Sequence, residues 1–342
     1  MRIPRNAQEL RALIFPSKKR LVIYGAIFMP FFAWLIWLNV MPGKSYDGVD
    51  TSESDALEEK LASDVTTLAV KIGERNIDKP LGLAESEAFV DGELAAAGLN
   101  VSHLAFPARG INVSNIEGVK PGNSRSDEIV VVGAHYDSAI GAAGADDNGS
   151  GVAAMFAIAR ALQKEKLART VRFVAFVNEE APYFWHDTMG SLVYAKACKA
   201  RGDKIVHMLS LETLAYFSDE KGSQKYPPGV GLFYPSTGNF IGFVGNTSSR
   251  DDVRAAIDVF RRTARVPSEG AALPAFIEGV GWSDQWAFWQ EGYSGIMITD
   301  TAPFRNPNYH TMHDLPASLD FHRFALVVEG VTEVVRAFAN ET

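Results

Sequence analysis

Apolar positions along the chain recur with two spacings, and the switches between them predict strands alternating with helices. Residues 129–132 form a short continuous run rich in β-branched side chains, the pattern of a strand buried on both faces of a sheet. Residues 152–162 follow with helical spacing. The alternation then repeats: strand over 170–177, helix over 189–200, strand over 205–211. Upstream, Leu57, Leu61, Val65, Leu68 and Ile72 set a helical period within 56–77, and a second helix over 85–97 stops at Gly98. Strands are predicted over 101–106 and 113–119, with Pro121-Gly122-Asn123 as a turn before the run at 129. Helices over 251–264, 283–291 and 321–339 and a short strand over 295–299 complete the pattern. The implied fold is α/β, a mixed, mainly parallel sheet with helices on both faces.

The N-terminal pattern is different. Residues 21–41 are a run of 21 without a charge, and as a helix they would be about 30 Å long, the thickness of a bilayer core. Pro30 is tolerated in a spanning helix, and Tyr24, Trp34 and Trp37 add the aromatic character of membrane interfaces. Arg2, Arg5, Arg11, Lys18, Lys19 and Arg20 precede the run, whereas the whole chain has a net charge of −8. By the positive-inside tendency, 1–20 is a basic cytoplasmic segment, 21–41 a transmembrane anchor in the lipid bilayer, and 45–342 a domain across the membrane, periplasmic in a bacterium. The competing reading is a cleaved signal peptide, against which stand the length of the run and the lack of a small-x-small site after it.

Composition narrows the picture further. With 342 residues, 47% of them hydrophobic, the chain can bury a large core. Cys198 is the only cysteine, which excludes an intrachain disulfide, and the acidic balance argues against nucleic acid as a partner. Gly-x-Ser-x-Gly, His-Glu-x-x-His and phosphate-loop motifs are all absent, so serine hydrolase, zincin and nucleotide chemistry have no support.

The candidate chemistry lies where predicted strands end. His135 and Asp137 follow the strand at 129–132 with a spacing of two, which in an extended chain puts the carboxylate beside the imidazole. A carboxylate there would accept the far ring N–H and aim the imidazole at a metal. Gly144-Ala145-Asp146-Asp147-Asn148-Gly149-Ser150-Gly151 opens the next helix, with glycines that let carboxylates turn inward. Either motif alone is more often a polar turn than a ligand. Glu179 and Glu180 follow the strand at 170–177, Glu212 the strand at 205–211, and His310 lies in a loop after the strand at 295–299. In open α/β sheets that edge binds ligands. Two imidazoles and four carboxylates exceed the needs of one metal, but suit two about 3.5 to 4 Å apart with a carboxylate base. The mixed nitrogen and oxygen donors favour zinc, although cobalt or manganese could use the same atoms. Adjacent extended residues project oppositely, so one of Glu179 and Glu180 can bind metal while the other faces the attacking water.

The ordered set His135-x-Asp137, Gly-Ala-Asp-Asp147-Asn-Gly-Ser-Gly, Asn-Glu179-Glu180, Glu212, Ser283-Asp284 and Asn-Pro-Asn-Tyr-His310 resembles the di-zinc exopeptidases of peptidase family 28, over roughly residues 56–340. The resemblance implies a zinc aminopeptidase-like fold with two Zn²⁺ ions. It assigns one to His135 and Glu212, the other to Glu180 and His310, and Asp147 between them. Glu179 becomes the general acid/base, Asp137 the partner of His135, and the substrate a peptide with a free N-terminus. Departures from the pattern are Glu212 where aspartate is frequent, Gln285 where many members have histidine, and Val280 where leucyl aminopeptidases have a tyrosine. Tyr309 matches the position that serves the carboxypeptidase branch, which makes it the candidate oxyanion donor. Three alternatives remain: a carboxypeptidase-type enzyme, for which Arg305 could hold a substrate carboxylate; a one-metal glutaminyl cyclase-like relative; and a non-catalytic binding protein of the same fold. Phe184, Trp185 and His186 either line the substrate pocket or pack, and His103, His207, His313 and His322 have no ligand-like context.

Overall fold

The computed structural model describes residues 18–48, 50–51 and 55–340. They divide into two units, one ending at Val40 and the other beginning at Met41. In the first, the uncharged run is helical as expected: α1, Lys18–Asn39, has Pro30 in its interior, and Val22, Ile23, Phe28 and Met29 are exposed. Among the described residues no helix is long and apolar enough to cross a membrane, so the expected span is not shown. Residues 1–17, the greater part of the basic segment, lie outside the described residues.

The second unit is built on one sheet of eight strands. In chain order they are β1 (Asn100–Ala108), β2 (Ile111–Lys120), β3 (Arg125–His135), β4 (Arg169–Phe176), β5 (Lys204–Glu212), β6 (Ile241–Asn246), β7 (Ser268–Leu273) and β8 (Ile296–Thr299). Across the sheet the order is β1-β2-β4-β3-β5-β8-β6-β7. The four inner strands β4, β3, β5 and β8 are mutually parallel, which sends their C-terminal ends to the same edge. The β1–β2, β2–β4 and β6–β8 pairs are antiparallel, and β6–β7 is parallel. The mixed, mainly parallel sheet expected from the sequence is present. The sequence pattern did not predict β6 and β7, whose segments Ile-Gly-Phe-Val-Gly-Asn and Ser-Glu-Gly-Ala-Ala-Leu carry too few large apolar residues to register as strands.

The helices of this unit are α2 (Asp55–Thr66), α3 (Pro80–Ala96), α4 (Gly151–Leu162), α5 (Gly190–Arg201), α6 (Arg250–Thr263), α7 (Gln285–Gln290) and α8 (Phe321–Asn340). The predicted helix over 56–77 is realised as α2 continued by a π-helical turn, Thr67–Ile72. Alternation in β3 divides the core. Val130, Val132 and Ala134 pack with α2, α3, α4, α6 and α8 on one face, while Ile129 and Val131 pack with α5 and α7 on the other. Helix α4 is apolar almost all round and correspondingly buried along nearly its whole length.

One buried cation ties the layers to the edge where β3 ends. Arg75, with no exposed surface, donates from Nε to the carbonyl of Tyr136 at 2.8 Å and from its terminal nitrogens to Ala143 at 2.8 Å and Gly144 at 2.7 Å. Weaker bonds reach Leu68 and Gly73, and its own N–H and C=O pair with Ser138. Gly144 fits beside it in a left-handed conformation, φ +68°, where a Cβ would lie 2.9 Å from the guanidinium and 2.6 Å from the carbonyl of Asp147. Burial brings the guanidinium down to about 10, opposed by Asp314, Asp137, Asp147 and Glu180, so it keeps its charge at neutral pH. Arg75→Met retains the bulk but leaves several buried carbonyls without a donor, and urea unfolding is expected to show a loss of about 3 kcal/mol or more. A loss under about 1 kcal/mol would show that the loop holds itself.

Candidate active site

The parallel inner strands deliver their chemistry to one edge. His135 is the last residue of β3 and Glu212 the last of β5; Glu179 and Glu180 follow β4, Asp147 lies just before α4, and His310 lies in the loop after β8. Asp147 stands at the centre, joined to Asn148 by a cis peptide bond. Its Oδ1 is 3.3 Å from His135 Nε2, and Glu212 Oε2 is 3.3 Å from the same nitrogen. Its Oδ2 is 3.1 Å from His310 Nε2, to which Glu180 Oε2 comes within 3.2 Å. Two three-residue groups able to hold a metal result, His135-Asp147-Glu212 and Asp147-Glu180-His310, with Asp147 in both. Glu179 belongs to neither; its Oε2 is 3.9 Å from His135 Nε2.

The hydrogen bonding leaves these atoms short of positive charge. His135 Nδ1 lies 3.2 Å from the carbonyl oxygen of Asp137, which can only accept, so Nδ1 carries a proton. In the neutral ring Nε2 then presents a lone pair to carboxylate oxygens, a repulsive arrangement unless a proton or a cation intervenes. Among the described residues His135 Nε2, Asp147 Oδ2 and Glu180 Oε1 are buried without a hydrogen-bond partner. The titration tendencies agree. Burial draws the His135 imidazole down, but Glu212, Glu179 and the oxygens of Asp137 and Asp147 raise it well above its ordinary range. His310, also lowered by burial, is lifted to about 10 by Asp147 and Glu180. Burial, then Asp147, pushes Glu180 to about 7, and burial raises Glu179 and Glu212. Divalent cations at the two groups would supply the missing charge, and the imidazole and carboxylate donors fit zinc.

A set of hydrogen bonds fixes the carboxylates. The Asp137 carboxylate lies beside the imidazole, its Oδ1 3.6 Å from His135 Nδ1, and the main-chain carbonyl of Asp137 comes closer to the same nitrogen, at 3.2 Å. The carboxylate also accepts the backbone N–H groups of Glu179 and Glu180, each at 3.2 Å. Asn148 donates to the carbonyl of Leu211 at 2.7 Å and accepts from Gly151 and Thr213, which locks the Asp147 loop to the end of β5. Ser283 donates to Glu212 Oε2 at 2.7 Å. Asp314, which the sequence reading passed over, accepts the backbone N–H groups of Asp146 and Asp147, both at 3.0 Å; its signal was only an acid four residues beyond His310.

Tyr309 stacks on the His310 ring, centroids 3.9 Å apart. Burial and the charges of Asp147, Glu180, Glu212 and Glu179 hold its hydroxyl protonated, well above the ordinary range. Together with Glu212 it borders a cavity open to solvent. Phe184, Trp185 and His186 do not line that cavity; Trp185 packs on Phe184 and Trp286 and donates to the carbonyl of Gly281. Arg305 is 7% exposed and bonds Gln224 and the carbonyls of Tyr216 and Phe240, a packing role. Three other histidines have carboxylate neighbours away from the site: His103 has Glu87 and Asp91, His207 has Asp252, and His322 has Glu58.

Known proteins resemble the chain in sequence and in fold. The model of peptidase family M28 matches residues 115–335. YfbL of Escherichia coli K12 is 32% identical over 304 residues, covering 86% of this chain and 90% of that protein. A probable leucine aminopeptidase of Trichophyton verrucosum is 28% identical over 286 residues, covering 78% of this chain and 67% of that one. Among solved structures, a zinc aminopeptidase from Bacillus subtilis superposes with a TM-score of 0.66 at 15% identity, over 85% of this chain and 97% of that one. A glutaminyl cyclase from Bacteroides thetaiotaomicron gives 0.60 at 15% identity, over 86% and 99%. These last two likenesses concern the fold alone. By the family match and the extent of its likeness to YfbL, the chain belongs to peptidase family M28, and it is a hydrolase of peptides.

Proposed function

We propose that the chain is an aminopeptidase that works with two zinc ions, held by His135 and Glu212 on one side and by Glu180 and His310 on the other, with Asp147 between them. The observation that carries this reading is the division of the Asp147 carboxylate, one oxygen toward each imidazole. Bound there, zinc would lower the pKa of an attacking water and polarise the scissile carbonyl. Glu179, buried beside both groups and a member of neither, takes the proton from water and returns it to the leaving amine. The Asp137 carboxylate holds Glu179 in place through its backbone N–H. Tyr309 donates its hydroxyl hydrogen to the developing oxyanion.

Selection of the amino end rests on charge. Among the described residues no lysine, arginine or histidine lines the adjoining cavity, while Glu212, Glu269 and Glu278 do. A substrate carboxylate finds no cation there, which disfavours a carboxypeptidase. A complete second group containing His135 disfavours the one-metal cyclase reading, and retention of Glu179 with every candidate ligand disfavours a non-catalytic binding protein.

The membrane reading is also a proposal. Its support is the uncharged run at 21–41, the six bases before it, and the exposure of Val22, Ile23, Phe28 and Met29. It makes the protein single-pass, with a cytoplasmic N-terminus and an extracytoplasmic catalytic domain. Deleting residues 1–44 is expected to move the protein from the membrane to the soluble fraction with hydrolysis of aminoacyl reporters retained. Full-length protein that is already soluble would contradict the anchor.

The roles at the site separate in three variants measured for zinc content and kcat. Glu179→Gln is expected to keep its metal and lose about two to four powers of ten in kcat. Glu180→Gln is expected to lose one zinc, with partial recovery in excess metal. Tyr309→Phe is expected to keep its metal and lose about one to three powers of ten in kcat. Equal zinc loss in both glutamate variants would contradict the division of roles, and an unchanged kcat in Tyr309→Phe would remove it from the mechanism.

A further inference from the structure

The cavity beside the metal groups has a direction, and the sheet register defines it. Glu212 of β5 pairs with Thr299 of β8, Thr299 with Gly242 of β6, and Gly242 with Glu269 of β7. All four line the cavity, so its floor is one row of residues crossing four strands. Three strand spacings put the end α-carbons about 14 Å apart, with an acidic residue at each end. The middle of the floor is smooth: Gly242 has no side chain, and the next row on that face is Met297, Val244 and Ala271. Two stacked aromatic pairs wall it, Tyr226 with Tyr234 and Trp282 with Phe304. The Tyr234 hydroxyl donates to the carbonyl of Gly270, next to Glu269.

The far end is a carboxylate without an adequate partner. Among the described residues the cation paired with Glu269 is Arg261, at 3.9 Å, and that guanidinium donates to the Ser268 side chain and to the carbonyls of Ser268 and Pro42. Burial raises the Glu269 carboxyl above its ordinary range, with Arg261 opposing only in part. Glu278 adds a second acid at the exposed rim.

We infer that this cavity receives the side chain of the substrate's N-terminal residue and selects lysine or arginine, with Glu269 as the residue that recognises the distal cation. The inference rests on the aminopeptidase reading and adds to it that the α-amine of the substrate lies at the metal-group end of the floor, where Glu212 stands. From there an extended basic side chain lays its methylenes along the apolar floor and brings its charge between the aromatic faces and Glu269. A leucine or alanine side chain ends short of Glu269 and adds no charge beside it.

The experiment compares kcat/KM for lysyl, arginyl, norleucyl and leucyl reporters, norleucine having the unbranched apolar stem of lysine without its charge. In the wild type, lysyl and arginyl are expected to exceed norleucyl by about tenfold or more. In Glu269→Gln, which keeps the size of the side chain, the lysyl-to-norleucyl ratio is expected to fall by about tenfold, and in Glu269→Lys to invert, with the zinc content of both variants equal to wild type. A norleucyl or leucyl rate equal to the lysyl rate in the wild type, or equal losses for lysyl and norleucyl in Glu269→Gln, would overturn the selection and leave the aminopeptidase reading standing. Failure to cleave any free-amine reporter would overturn the reading on which it rests, and the selection with it.

Discussion

Repulsion among carboxylates buried at one edge of the sheet is the constraint to which the rest of the molecule answers. Asp147, Glu179, Glu180 and Glu212 are each less than a tenth exposed, and around them lie buried Asp137, Asp146, Asp284 and Asp314. An unpaired charge removed from water is costly enough that such groups either take up protons or find a cation. Burial moves Asp284 to about 7 and Asp314 to about 6, while the Asp147 carboxyl, pushed up by burial, is drawn below its ordinary range by His135 and His310. The carboxylates farther out therefore bind protons more readily, and the central one keeps its charge. The polypeptide holds this unfavourable arrangement with main-chain bonds: Asp137 grips the glutamate pair, Asp314 the Asp146-Asp147 loop, and Arg75 the carbonyls behind both. A site so preorganised loses little further freedom when a cation arrives.

The sheet divides the labour. Its parallel inner strands end together and supply the groups of reaction chemistry, each at the last residue of a strand or in the segment that leads on from it. The added pair β6 and β7 extends the sheet beyond β8 and forms, with the loops over it, the floor and walls of the cavity. Glu212 belongs to both parts, a metal-group residue that is also the near end of the floor. One strand register thus relates where the bond is cut to which side chain is accepted.

The two parts were not equally legible in the sequence. His135, Asp147, Glu179, Glu180, Glu212 and His310 could be picked out because each stands at or beyond a strongly patterned strand, where an acid or histidine interrupts an apolar run. Period two put Asp137 on the right side of the chain, but could not say that its main-chain oxygen would reach the imidazole first. Arg75 and Asp314 carry no signal in the sequence pattern, since burial of an ion depends on partners distant in sequence, Tyr136 and Ala143 for the one, Asp146 for the other. Strands β6 and β7 were invisible because glycine and alanine pair by backbone and carry little pattern, and Glu269 was lost with them. Helix α1 was legible in its long uncharged run.

The claim that this edge is a two-cation site is tested most directly by calorimetric titration of the metal-stripped full-length protein in detergent with Zn²⁺. The account predicts about two equivalents bound to wild type, and loss of tight binding at both positions in Asp147→Ala, because that one carboxylate serves both groups. A single equivalent in wild type, or one undisturbed tight site in Asp147→Ala, would contradict it.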